Sequence, residues 1–183
     1  MCHSYISSTI PLQSIKLKYS PSRAQDMQPQ KNEPGIYTLI LSLPQAGQIK
    51  VGSLGVMDFA GGFYSYTGSA RGFGDLKRVD RHIQVLEGIK TTRRWHIDYL
   101  LPNTSFLEVF ISKTCLDREC CIAKAIGKRL MPMPGFGCTD CRCMSHLHYS
   151  PDLGEMREAV ASAHGAAGDL KRAGAEIMIP NPG

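Results

Sequence analysis

Two tyrosines, an arginine and a glutamate recur in an order that could serve chemistry on phosphate esters. Gly35-Ile36-Tyr37 opens one strand-like segment, and Tyr66-Thr67-Gly68-Ser69-Ala70 closes a later one. Arg78-Val79-Asp80-Arg81-His82 follows on a helical pattern. On a helical wheel Glu119 shares a side with Ile122, Ala123, Ile126 and Leu130. A carboxylate on an apolar face is costly unless a cation or hydrogen-bond donors compensate it. The simpler alternative is a first-turn glutamate favoured by the helix dipole. Phosphodiester hydrolysis needs an activated water, stabilisation of a charged transition state and help for the leaving oxygen. Phenols, a guanidinium and a carboxylate are groups of the right kind for that work.

The elements that would position these groups are readable from pattern. Residues 36–43 form an apolar strand closed by Pro44 and Gly47. Residues 48–59 read as one or two short strands broken by Gly52 and Gly55, and 63–67 as another, arranged as antiparallel hairpins. Asp75 is a candidate cap for a helix whose Leu76, Val79, Ile83 and Leu86 pack inward, leaving Arg78, Arg81 and His82 on the other side. A short helix is expected from Trp95 to Leu101, a strand from Phe106 to Ser112, and a helix capped by Asp117 and running to about Leu130. From Leu153, Met156, Val160, Ala163, Ala167 and Leu170 give a weak amphipathic helix, interrupted by Gly165 and Gly168.

The fold expected is therefore α/β (α+β), a small antiparallel sheet flanked by helices. Three segments are expected: a disordered tail at 1–33, a domain at 34–150, and a helical extension at 151–183. The first 26 residues hold no continuous apolar run and only one acid, Asp26. They read as a disordered extension, or as a start site misplaced upstream of Met27, rather than as a secretory signal. No stretch approaches the roughly 18 apolar residues needed to cross a bilayer, and the cytoplasm is the expected compartment.

The formal charge of +5 is only a mild bias towards polyanions. Its distribution says more. Arg71, Lys77, Arg78, Arg81, Lys90, Arg93 and Arg94 face only Asp75, Asp80 and Glu87 over residues 71–94. Four of the five net charges fall in that segment. Alone it is an ordinary solvated surface; beside a catalytic motif it suits nucleic acid, with Arg71, Lys77, Arg81, Arg93 and Arg94 as the phosphate-contacting candidates.

Seven cysteines, an odd number, argue against a disulfide framework. Cys138, Cys141 and Cys143 crowd together with His146 and His148. Cys138, Cys141, Cys143 and His146 could hold zinc. Structural zinc sites usually take their ligands as two separated pairs, whereas this cluster is compressed. Buried thiols in a tight turn, with His146 hydrogen-bonded nearby, are the preferred reading.

The ordered set from Gly35 to Leu130 resembles the GIY-YIG nuclease superfamily, whose strands carry Gly-Ile-Tyr and Tyr-Ile-Gly and whose next helix carries an arginine. Trp95-His96-Ile97-Asp98-Tyr99-Leu100 and the run from Pro134-Gly135-Phe136-Gly137 through Asp140-Cys141-Arg142-Cys143 to Ser145-His146-Leu147 resemble an uncharacterised branch of it, sometimes fused to endonuclease III-like repair enzymes. The resemblance implies that Glu119 holds Mg²⁺ or Mn²⁺, hard cations that prefer oxygen ligands. It implies that Arg78 forks onto phosphate oxygens, which lysine cannot do. Tyr37 or Tyr66 would orient or deprotonate the attacking water. His82 and His96 are accessory acid-base candidates, with a structural role the simpler reading for His96.

Three departures stand out. The second motif is Tyr-Thr-Gly, residues 38–65 separate the two motifs, and Asn181 is the sole asparagine after Glu119. The expected function is metal-dependent cleavage of DNA, with a repair enzyme as a partner. The alternatives are a non-catalytic nucleic-acid-binding module and an adaptor domain organised by the Cys/His cluster.

Overall fold

The computed structural model describes residues 34–70, 77–114 and 116–166, and the backbone of a strand at 176–178. These residues belong to one compact unit, Lys31–Gly183. The expected tail at 1–33, Arg71 and the candidate cap Asp75 lie outside the described residues.

Strand β1 (Gly35–Leu43) is a central strand of the main sheet. Its alternating apolar side chains serve both faces of a sheet, so the strand is buried along nearly its whole length. On one side β4 (Gly62–Ser69) runs antiparallel to it, with Tyr37 opposite Gly68 and Leu39 opposite Tyr66. On the other side lies β5 (Ser105–Lys113), with a bulge between Ile40 and Leu41. β7 (Leu147–Ser150) adds to β4, and β6 (Met131–Pro132) to β7. β8 (Glu176–Met178) adds to β5, completing an antiparallel six-stranded sheet in the order β6-β7-β4-β1-β5-β8.

The segment separating the two tyrosine motifs folds as a small hairpin of its own. β2 (Gly47–Lys50) and β3 (Val56–Phe59) pair, joined through a 3-10 turn at Gly52–Leu54. Gly52 and Gly55 both take positive φ there, where a side chain would be strained.

Each sheet face has its own core. On one face α1 (Lys77–Leu86) and α2 (Ile97–Leu100) cover Leu39, Leu41, Val109 and Ile111 with Val79, Val85, Ile97 and Leu100. On the other, α3 (Glu119–Ile126) and α4 (Leu153–Ala166) bring Ile122, Ile126, Met156, Val160 and Ala163 against Ile36, Ile40 and Phe110. Fully burying side chains of this size contributes about 1.5–3 kcal/mol each.

Several expectations need correction. α4 is no extension: it supplies much of the second core, because Met156, Ala159, Val160 and Ala163 form a continuous buried stripe. α3 begins after Arg118 rather than Asp117 and ends at Ile126, although Leu130 is still buried. α1 buries His82 along with Val79 and Val85, so the inward face is rotated from the one the apolar pattern suggested. Among the described residues no helix is long and apolar enough to cross a membrane.

Candidate functional site

Tyr37 and Tyr66 leave the sheet on the face covered by α1, near the end where β1 starts and β4 finishes. Gly68 is what lets Tyr37 lie flat there. A Cβ at Gly68 would stand 2.4 Å from the Tyr37 hydroxyl oxygen. The glycine of the Tyr-Thr-Gly motif is thus a steric requirement of the tyrosine opposite.

Behind Tyr37 lies a chain of buried polar groups. Its hydroxyl is 2.9 Å from His82 Nε2. His82 Nδ1 faces the Asp98 carboxylate at 3.6 Å, an ion-pair distance rather than a full hydrogen bond. Asp98 is completely buried, yet Arg81 forks onto both its oxygens at 2.8 Å. The backbone N–H groups of Arg94 and Trp95 donate to Asp98 Oδ2 as well. The Arg81 guanidinium stacks on Trp95, 4.6 Å from the ring centroid, and Arg78 approaches the same ring at 5.5 Å.

The electrostatics follow from burial and these partners. Burial alone would raise the Asp98 pKa, but the nearby His82 ring and the hydrogen bonds from Arg81 and the two backbone amides hold it well below the usual carboxylate range. Asp98 is therefore a fixed negative charge. Burial lowers the His82 pKa, only partly opposed by Asp98, so His82 is a neutral imidazole at physiological pH. Tyr37 and Tyr66 are both pushed far up, by burial first, with Arg78 pulling each back. Glu119 and Asp98 raise both phenols further. The two tyrosines, Arg78 and Glu119 therefore share one electrostatic neighbourhood.

Arg78 is exposed and anchors one arm of its guanidinium on the Ser69 carbonyl at 2.7 Å. Glu119 stands in the first turn of α3 with its side chain a quarter exposed, and its Oε1 is 2.9 Å from His146 Nδ1. That pair is close but not aligned as a full hydrogen bond. Burial works against a charge on His146, yet Glu119 raises its pKa overall.

His146 comes from the loop between β6 and β7. The loop closes through Gly135 N–H to the Met144 carbonyl and His146 N–H to the Phe136 carbonyl, both at 2.8 Å. Thr67 N–H donates to the His146 carbonyl at 3.0 Å, tying this histidine to β4 one residue beyond Tyr66. On its other side His146 Nε2 faces Cys141 Sγ at 3.4 Å and Cys120 Sγ at 3.8 Å.

Tyr37, Tyr66, Arg78 and Glu119 thus converge. His82 does too, but it is buried behind Tyr37 and is not beside Arg78 on the surface. His96 stands apart: its Nδ1 accepts from Gly137 N–H at 3.1 Å, Nε2 is 3.4 Å from Ser53 Oγ, and its ring packs on Phe136. It fastens the start of α2 to a turn. Arg81, expected on nucleic acid, has its fork committed to Asp98 and is nearly buried. Lys77 and Arg94 are exposed, while Arg93 is half-buried and bonded to the carbonyls of Lys90 and Thr91.

Of the four candidate zinc ligands, Cys141, Cys143 and His146 come together, and Cys120 joins them in place of Cys138. The Cys138 thiol instead donates to the Phe136 carbonyl. Asp98 and Cys120 are the residues that the sequence reading passed over. Asp98 was signalled only by its place in Trp-His-Ile-Asp-Tyr, and Cys120 only by its place next to Glu119.

The class so defined is an α+β protein, a six-stranded antiparallel sheet between two pairs of helices, with a separate two-stranded hairpin and a polar site at one end of the main sheet. Residues 36–169 match the family described as Domain of unknown function DUF123, and the chain belongs to that family. No curated protein and no solved structure matches it.

Proposed function

We propose that the protein is a divalent-metal-dependent DNA endonuclease of the GIY-YIG type. The observation that carries this reading is the Tyr37–His82–Asp98 relay opening beside Arg78, Tyr66 and Glu119. A buried phenol with a raised pKa is no base by itself. With a neutral imidazole hydrogen-bonded to it, it becomes one. The attacking water gives its proton to the Tyr37 oxygen as the Tyr37 proton passes to His82 Nε2. The imidazolium so formed lies beside Asp98, whose charge Arg81 and two backbone amides hold in place.

Tyr66, kept protonated by burial, donates its O–H to the water or to a phosphate oxygen. Arg78 presents its guanidinium to the phosphate, held by its bond to the Ser69 carbonyl. The cation implied here is Mg²⁺ or Mn²⁺. One partly exposed carboxylate, close enough to Tyr37 and Tyr66 to influence both phenols, is a hard, sparse donor that suits a cation which keeps most of its waters. When bound at Glu119, it would supply charge neutralisation at the scissile phosphate.

A second reading, a DNA-binding module without catalysis, is favoured by the Glu119–His146 pair, which gives the carboxylate a structural partner. Incubation with Mg²⁺ or Mn²⁺ and a panel of plain, flapped, branched and lesion-bearing DNAs separates the two. Cleavage that stops on chelation supports the nuclease. Binding to the panel without cleavage under either metal supports the module and refutes the relay.

A further inference from the structure

We propose that the protein also carries a structural zinc site formed by Cys120, Cys141, Cys143 and His146, distinct from the oxygen-ligand cation at Glu119. One ligand atom from each of these residues lies within 4.8 Å of all the others. Zinc bound tetrahedrally, with Zn–S about 2.3 Å and Zn–N about 2.0–2.1 Å, separates its ligand atoms by roughly 3.5–3.8 Å. His146 Nε2 already stands 3.4 Å from Cys141 Sγ and 3.8 Å from Cys120 Sγ. The remaining separations need to close by about 1 Å at most to reach that geometry. Such spacing encloses a single ion.

The chemistry of the set is equally selective. Three thiolates and one imidazole are soft and borderline donors, suited to zinc and wrong for Mg²⁺ or Ca²⁺. His146 meets the thiols through Nε2 while its Nδ1 faces Glu119 Oε1 at 2.9 Å. A carboxylate on the far nitrogen fixes the tautomer that leaves Nε2 free to bind a metal. On binding, each thiol releases its proton to solvent, and the imidazole binds through its Nε2 lone pair with the Nδ1 proton kept towards Glu119.

The position has a structural use. The β6–β7 loop is irregular, and Phe136, Cys143, Ser145 and His146 are its buried side chains. Zinc would clamp this loop to the first turn of α3, the turn that carries Glu119. Two neighbouring cysteines serve as internal controls. Cys121 is exposed, and Cys138 bonds to a carbonyl; neither belongs to the group.

The test uses the full chain, purified without chelator or added metal and without DNA. Elemental analysis should find about one zinc per chain in the wild type, in Cys121→Ser and in Cys138→Ser, and a large loss in Cys120→Ser and Cys143→Ser. Should the last two fail to fold, the wild type decides. Stripped of metal and titrated with Co²⁺, it should give tetrahedral ligand-field bands with a thiolate charge-transfer band. Zinc should also protect three cysteines from alkylation while Cys121 still reacts.

Folded wild-type protein with neither zinc nor a tetrahedral cobalt spectrum would overturn the site. So would a disulfide among these cysteines, an iron–sulfur chromophore, or loss of metal in Cys138→Ser. Because no DNA is involved, zinc can fail while the nuclease stands, and the reverse.

Discussion

Neighbouring residues on the same strands feed two buried polar networks on opposite sheet faces. On one face Tyr37 and Tyr66 meet His82, Asp98 and Arg81. On the other, Thr38 Oγ1 lies 3.0 Å from Thr67 Oγ1 and 2.9 Å from His164 Nε2, and His164 Nδ1 is 2.7 Å from Ser112 Oγ. Both networks hold a buried histidine bridged between other groups. The second is closed: hydroxyls and a neutral imidazole, sealed beneath α4 and without a charged member. The first contains the fixed charges of Asp98 and Arg81 and opens beside exposed Arg78 and partly exposed Glu119. Burial of polar groups is common to both. What distinguishes the first is that it holds charged members and has charged groups at the surface beside it.

The largest expected effect lies on the open side. Tyr37→Phe should lower the cleavage rate by about 10²–10⁴-fold while the protein stays folded, since it removes the proposed proton acceptor and keeps the ring. Thr38→Val, one residue away on the other face, should leave the rate within a few-fold of wild type. Equal losses in single-turnover assays of the two variants would erase the distinction between the networks.

On the closed side the expected effect is on stability. His164→Leu takes the imidazole from the Ser112 hydroxyl, at about 1–3 kcal/mol for a buried group left unsatisfied, while Thr38 keeps its bond to Thr67. Thermal melting should show the loss, with the rate of cleavage well below the melting point unchanged. A folded His164→Leu protein that no longer cleaves would place His164 in the mechanism.

Acid should find the same residue. Burial pushes the His164 pKa down to about 4, against about 6.5 in an unfolded chain. Between those values the unfolded state binds a proton that the folded state does not. The stability linked to His164 is therefore complete above about pH 6.5 and is lost as pH falls towards 4, on the order of a few kcal/mol. The stability gap between wild type and His164→Leu should shrink over that window. A gap that stays constant from pH 7 to pH 4.5 would mean that His164 titrates normally.

The smallest effect is expected at the surface. Arg93→Glu with Arg94→Glu should weaken DNA binding modestly and flatten its salt dependence, because fewer counterions are released. An unchanged salt slope would turn that surface away from nucleic acid.

Strand periodicity made the sheet face of Tyr37 and Tyr66 legible, because side-chain direction alternates along a strand. The helices were harder. In α1 the apolar stripe competes with Val79, His82 and Val85, and only the phenol and carboxylate waiting for His82 decide which face turns inward. Asp98 could not be recognised as a buried anion, since its main partner, Arg81, comes from another helix. Cys120 and Cys141 are far apart in sequence, and no local spacing links them. Small residues in α4 weakened its apolar signal, yet Ala159 and Ala163 allow the close packing that makes it part of the core.

The most direct test of the proposed site is Glu119→Gln, measured for melting temperature, metal content and Mg²⁺- or Mn²⁺-dependent cleavage of a DNA that the wild type cuts. The amide is the same size as the carboxylate and keeps its place beside His146 Nδ1, so fold and bound zinc should persist, while the lost charge removes the proposed anchor for the hard cation. The expected result is a folded protein with cleavage abolished. Full cleavage by folded Glu119→Gln would contradict it and leave the carboxylate as a structural partner of His146.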